Sequence, residues 1–272
     1  MNQSFAELGI QSALVQGLAK AGVTVPTQIQ KEVIPEVLAG KDVVGQSATG
    51  TGKTLAFLLP LFQKIDHARR DTQAIVLAPT HELAMQIFRE AQLLADNSGL
   101  PVTAAVIIGD VNIARQIDRL KERPHLLVGS SGRILELIQK RKINAQTVKT
   151  IVLDEADRLL DDNHRVSATA IIKATQKDRQ LLLFSATIPA AAMEKALGMS
   201  NDAVVVTIAA PAAVPAEIGH LYFVVETRDK IEFLRKLLAS LQVDRALVFV
   251  NTSAAIEETV AKLCHHGVAA TG

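Results

Sequence analysis

Two short stretches of this sequence carry residue types suited to handling phosphate. In the first, GQSATGTGKTLAFLLPLF, the residues Gly50, Gly52, Lys53 and Thr54 follow the β-branched run DVVG and precede a stretch with helical spacing. Glycines let backbone N–H groups curl around phosphate oxygens, and a helix start adds its partial positive charge at the same place. In such a loop Thr49, Gly50, Thr51 and Gly52 form the cradle, Lys53 reaches the β and γ phosphates, and the Thr54 hydroxyl ligates Mg²⁺. The strict pattern asks for Gly or Ala where Ser47 stands. The competing reading is a glycine-rich turn with no ligand, which the strand before it and the helix after it disfavour.

The second stretch lies about a hundred residues downstream, where the apolar run Ile151, Val152, Leu153 ends in Asp154 and Glu155. Mg²⁺ prefers oxygen ligands and keeps much of its water, so Asp154 would hold it mostly through water. Glu155 would then orient or deprotonate an attacking water. Taken alone, two carboxylates after a buried strand are an ordinary acidic loop. Paired with Lys53 and Thr54, they complete a phosphate-cleaving site.

The elements that must position these residues are legible as well. Short β-branched runs recur along the chain (DVVG, QAIVLAP, VTAAVII, HLLVG, TIVLD, QLLLFSA, AVVVTI), as expected of strands buried on both faces. Between two of them, Leu83, Ile87, Ala91 and Leu94 recur at steps of three and four, which predicts a helix packed on a sheet. Alternating strands and helices predict an α/β fold with a doubly wound, mainly parallel sheet whose ligands sit at the carboxyl ends of the strands. The proline-containing segment 207–218 reads as a linker, dividing a domain at 1–206 from a partial α/β domain at 219–272. In the latter, LYFVVE and ALVFVN are expected strands, with helices starting near Asp229 and Ser253.

The 272 residues are 49% apolar, and 29 basic against 28 acidic side chains leave a net charge of +1. Bulk electrostatic attraction to nucleic acid or membrane is therefore absent, and any such site must be local. The single cysteine, Cys264, excludes an internal disulfide and fits a reducing, cytoplasmic compartment. No export signal or membrane-spanning run is expected. Although Cys264 adjoins His265 and His266, adjacent helix positions point apart and a fourth ligand is lacking, so no metal site is expected there.

Asp154, Glu155, Ala156 and Asp157 spell the motif that names the DEAD-box family of ATP-dependent RNA helicases, which this chain resembles over residues 4–272. Ser185, Ala186 and Thr187 stand where the family has S-A-T, which implies coupling of hydrolysis to strand separation through Asp157. PTQIQ, with Phe5 upstream, is similar to the family's Q motif. The resemblance implies that Gln30 reads adenine, since an amide offers both a donor and an acceptor, while Phe5 stacks on the base. It also implies a P-loop, RecA-like fold, ATP and Mg²⁺ as cofactors, RNA as partner through backbone contacts, and a monomeric enzyme without a membrane.

RNA-contacting loops are recognisable with departures. Pro79, Thr80 and His81 stand in P-T-H-E-L-A, where the family has Arg in place of His81. Gly109 and Asp110 replace a glycine pair, and Ser130, Ser131, Gly132, Arg133 replace T-P-G-R. Arg133 and Thr80 are the candidate phosphate contacts, with backbone N–H donors near Gly109 and Gly132. An extra carboxylate at Asp110 would repel phosphate, and the departures imply weaker RNA binding, a specialised partner or neutral drift. Since the resemblance reaches only the opening of the second domain, this chain is expected to bind nucleotide yet hydrolyse it little. The alternatives are an ATP-dependent RNA clamp or adaptor without productive unwinding, a DNA helicase, and a P-loop ATPase acting on protein.

Overall fold

A computed structural model describes residues 3–109, 111–161, 164–209, 218–241 and 243–272. The chain divides into two compact units, the first ending at Ala212 and the second starting at Ala213. The linker expected at 207–218 falls largely outside the described residues, as does Asp110.

The first unit is built on seven strands: β1 (Val43–Gln46), β2 (Ala74–Leu77), β3 (Ala104–Ile107), β4 (Leu126–Gly129), β5 (Thr150–Asp154), β6 (Gln180–Ser185) and β7 (Val204–Thr207). They form one sheet in the order β3-β4-β2-β5-β6-β1-β7, and every pairing is parallel. Nine helices accompany them among the described residues of this unit: α1 (Ser12–Lys20), α2 (Gln28–Leu38), α3 (Lys53–Lys64), α4 (His81–Ser98), α5 (Ile113–Leu120), α6 (Ser131–Gln139), α7 (Ala156–Leu159), α8 (Arg165–Ala174) and α9 (Ala190–Met199). The sheet's two faces alternate residue by residue. Val43, Val76, Val128, Val152, Leu182 and Phe184 pack into one apolar cluster, which takes in α1 to α4. Val44, Leu77, Leu127, Ile151, Leu153 and Leu183 pack into the other, with α6 and α8. Strands that are apolar on both faces must be covered on both, which explains the unbroken apolar runs.

The first unit is thus the α/β, doubly wound, parallel fold that the periodicity predicts. One side chain invisible to that reading anchors it. Asp42, buried just before β1, accepts from the backbone N–H groups of Leu181 and Asn201, each at 2.7 Å, fixing β1 against β6.

In the second unit the expectation fails in part. The helices form, α10 at Lys230–Leu241 and α11 at Ser253–His265, but LYFVVE and ALVFVN are not strands. Tyr222 is 90% exposed, Val224 94% and Phe249 86%. A strand is stabilised by a neighbouring ladder and by burial of at least one face. Among the described residues neither surrounds these two runs, so β-branched composition alone does not bring them into a ladder.

Candidate functional site

Strand order sorts the expected site residues into two halves along the carboxyl edge of the sheet. The glycine-rich loop follows β1, the Asp154 motif follows β5, and Ser185 ends β6; these three strands are neighbours. The PTHELA segment follows β2, Gly109 follows β3, and Ser130 to Arg133 follow β4, which are neighbours as well. Residues far apart in sequence thus fall into two adjoining groups.

In the first half, Gly52 takes φ 92° at the N-cap of α3, a left-handed conformation that glycine holds with little strain. Lys53 Nζ donates to the carbonyls of Ser47 (2.6 Å) and Ala48 (2.8 Å), so the loop closes on its own lysine. Burial pulls the Lys53 ammonium below its ordinary range, with Asp154, Glu155 and Asp157 opposing. Ser47, the departure from the strict pattern, is buried and lies 2.7 Å from the Thr51 hydroxyl. Thr51 directs its own proton to the Ala48 carbonyl (2.8 Å), so Ser47 is the donor of that pair. The serine adds an internal tie to the loop, a role the pattern could not show.

Glu155 sits at φ 52°, a conformation that non-glycine residues rarely hold, immediately after β5. Such strain clusters at functional sites. Its carboxylate is ion-paired with Arg158 Nη1 at 3.1 Å, a partner that sequence reading missed. Asp154 is pushed up to about 6, chiefly by burial, while the Glu155 N–H and Lys53 pull the other way. Ser185 Oγ lies 2.6 Å from Asp157 Oδ1 and 2.8 Å from the Thr187 carbonyl, and Thr187 Oγ1 donates to Asp157 Oδ2 at 3.4 Å. Ser47 N–H donates to the Ser185 carbonyl at 3.1 Å, which completes a path from the phosphate loop to Asp157.

These groups open onto a cleft of about 520 Å³ lined by Thr49, Gly50, Lys53, Thr54, Asp154 and Ala186, with Gln86 and Glu90 of α4 on its far wall. Its acidic and hydroxyl donors are all hard oxygens, and a desolvated carboxylate there favours a cation beside it. Among the described residues no three His, Cys, Asp or Glu side chains converge to hold a metal unaided. An ion at Thr54 and Asp154 would therefore take its remaining ligands from water and phosphate, the manner of Mg²⁺.

Both residues expected to read adenine are buried in this structure. Phe5 is 2% exposed inside the apolar core, so its ring is not offered to a base. Gln30 is 1% exposed and engaged at both ends: its Oε1 accepts from Thr27 N–H (2.9 Å) and its Nε2 donates to the Gly52 carbonyl (3.0 Å). In this structure it caps α2 and braces the phosphate loop.

In the second half, Thr80 caps α4 by accepting from Leu83 N–H (3.2 Å), and the His81 ring packs against Gly109. Gly129, at the end of β4, admits no side chain, because a Cβ would run into the Ile107 carbonyl. Arg133, an expected phosphate contact, is largely buried. Its side chain is only 16% exposed, paired with Glu136 of its own helix (3.0 Å) and donating to the Val111 carbonyl (3.0 Å), so it ties α6 to the loop after β3. Ser131, buried, bonds to Ser167 at 2.7 Å. Pro79 follows β2, and Gly132 lies in the first turn of α6 after β4.

The family model for DEAD/DEAH box helicases matches residues 27–196. The chain is 38% identical over 259 residues to "Probable ATP-dependent RNA helicase YfmL" of Bacillus subtilis, covering 95% of this chain and 68% of that one. It is 40% identical to DEAD-box ATP-dependent RNA helicase CshC of Bacillus cereus, covering 93% and 64%. Against CshA of the same species it is 37% identical, covering 99% and 51%, so the chain spans about half to two thirds of its relatives' length. Among solved structures, S. cerevisiae Dbp5 bound to RNA and ADP BeF3 matches with a TM-score of 0.85 at 29% identity, over 97% of this chain and 67% of that one. A DEAD box protein from Methanococcus jannaschii matches with a TM-score of 0.71 at 32% identity, over 99% and 73%. With the Asp154-to-Asp157 motif at the end of β5, hydrogen-bonded to Ser185 and Thr187 beside a phosphate loop, this chain belongs to the DEAD-box helicase family.

Proposed function

We propose that this chain binds Mg²⁺-ATP in the cleft at β5, β6 and β1 and single-stranded RNA along the edge formed by β2, β4 and β3, as part of an ATP-dependent RNA helicase. In this reading Lys53 and the loop N–H groups hold the β and γ phosphates, while Thr54 and Asp154 face the Mg²⁺. Bound Mg²⁺ would supply charge neutralisation at the phosphates. Glu155 orients the attacking water once Arg158 releases it. RNA binding is by backbone, salt-sensitive and little dependent on sequence. The protein acts as a monomer in the cytoplasm.

The observation that carries this reading is the hydrogen-bonded path from Ser47 through Ser185 to Asp157, because it gives the phosphate site a physical connection to the rest of the sheet edge. A bare ATP clamp would not need it. Calorimetry with ADP, ATP and GTP tests the reading. Adenine nucleotides should bind in the presence of Mg²⁺ and lose at least about tenfold in affinity with Lys53→Ala, a loss of one charge-assisted phosphate interaction. Nucleotide binding indifferent to Lys53→Ala would sink it.

A further inference from the structure

The amino ends of the strands carry a feature that the helicase motifs do not explain. Three adjoining clefts, of about 770, 590 and 450 Å³, open around the starts of β2, β3, β4 and β5, and all three share Arg70 and Arg123. Arg119 lines the first and Lys142 the third. Among the described residues Arg70, Arg119, Arg123 and Lys142 form no ion pair, whereas their neighbours Arg69 and Lys121 are paired with Asp71 and Asp118. In a chain of net charge +1, four unpaired cations at one end of a sheet make a local field that the overall balance hides.

The largest cleft adds two further features. It lies against β3, the edge strand of the sheet, where Ala104 and Ala105 form its floor. From α4 it is lined by Phe88 and Gln92, an aromatic ring half-buried against the core and an amide, in the same lining as the three arginines. An aromatic platform beside a cationic groove is how single-stranded nucleic acid is bound without sequence preference: bases stack, and cations follow the phosphates. Glu122 is the one carboxylate lining this cleft. Arg123 stands at φ 54°, where glycine would be less strained, so a guanidinium occupies this corner against local backbone preference.

The position of the cleft suggests its occupant. Gly109, on the proposed RNA edge, follows the carboxyl end of β3, and the cleft lies at the amino end of the same strand. Four residues of strand span about 13 Å, so RNA leaving the Gly109 loop along the free edge of β3 meets the cleft within a few nucleotides. That gap exceeds the Debye length of about 8 Å at physiological salt, so the cations of the cleft act on the phosphates separately from the Gly109 loop.

We propose that the Phe88, Gln92, Arg70, Arg119 and Arg123 cleft is an accessory site for single-stranded RNA that continues past Gly109. The inference rests on the RNA-binding reading above.

The test measures binding of two labelled single-stranded RNAs by fluorescence anisotropy across a salt series, one oligonucleotide long enough only for the Gly109 edge and one extended. The parent should bind the extended RNA about tenfold more tightly. Arg70→Gln with Arg119→Gln should abolish that advantage and leave the short RNA unchanged, with the salt slope for the extended RNA falling by about 0.7 for each phosphate no longer neutralised. Arg123→Gly should do the same while melting no lower than the parent, which separates a weakened site from a damaged fold. Phe88→Leu should weaken only the extended RNA. If these variants bind both RNAs as the parent does, the accessory site is wrong while the helicase reading stands. If they instead lose binding of polyglutamate and keep RNA, the surface docks an acidic protein and the proposal is overturned. If the parent binds neither RNA, the underlying RNA reading falls with it.

Discussion

The same kind of sequence has two fates in this molecule. In the first unit, TIVLD becomes β5, with Val152 wholly buried between β2 and β6. In the second, LYFVVE and ALVFVN have equal β propensity, yet neither is a strand, and Val224 is 94% exposed. Propensity in a sheet is mostly the fit of a side chain to neighbours on a pleated, covered surface. Where neighbouring strands are supplied, the run is locked in place; where they are not, its composition decides nothing. The candidate phosphate site follows the same division, since the strands that precede it, β1, β5 and β6, are each held on both sides.

The sharpest way to break this comparison is to delete one aromatic ring from each unit. Phe184 is fully buried with its ring tilted against Phe57, centroids 5.3 Å apart, so Phe184→Ala should cost about 3–5 kcal/mol by urea denaturation. Phe249→Ala should cost under about 0.5 kcal/mol, as exposed substitutions do. Equal losses would mean that the second unit owns a core which the exposure of Phe249 contradicts.

Burial in the first unit also carries a penalty, and Asp154 measures it. Its folded carboxyl titrates near 6, against an ordinary 3.8, so the folded state holds that proton more tightly than the unfolded chain does. Stability from this group is therefore greatest below about pH 4 and is lost as the pH rises through 4 to 6. Without Mg²⁺, Asp154→Asn should stabilise the protein by up to about 3 kcal/mol near pH 7 and by almost nothing below about pH 4. Denaturation at the two pH values checks this, and an Asn variant no more stable near neutrality would show the carboxylate to be hydrated or neutralised. On the proposed reading the same variant should also bind Mg²⁺-nucleotide more weakly, trading function for stability.

The smallest expected effect separates backbone strain from packing. Arg141 takes φ 55° just after α6, where glycine is the less strained residue. Arg141→Gly should therefore raise stability by about 1 kcal/mol, visible as a modest rise in melting temperature, although it removes a side chain from the ordered unit. A fall would mean that the exposed side chain makes interactions worth more than its strain.

Much of the fold was legible because its rules are local. A β-branched run followed by a glycine-rich turn and a helix start is a contiguous pattern, and so is an apolar strand ending in two acids. The phosphate loop, the Asp154 motif and the parallel sheet could be read from residues within a few positions of one another. The burial of Gln30, Phe5 and Arg133 was not legible, because it is set by distant partners. The core closes over Phe5, Gly52 engages Gln30, and Val111 together with Glu136 holds Arg133.

The sequence by itself determined the chemistry and the element types, because periodicity, turn residues and short motifs depend on neighbours along the chain. Tertiary structure alone decided which strands stand side by side. That order divides the carboxyl edge into a half at β5, β6 and β1, where the proposed phosphate site stands, and a half at β2, β4 and β3, where RNA is proposed to bind. It also brings Arg70 and Phe88, from two other connections, to one cleft with Arg119 and Arg123 of the β3–β4 connection. Hydrogen bonding between strands joins residues far apart along the chain, and no periodicity within a single run records which partner it will find.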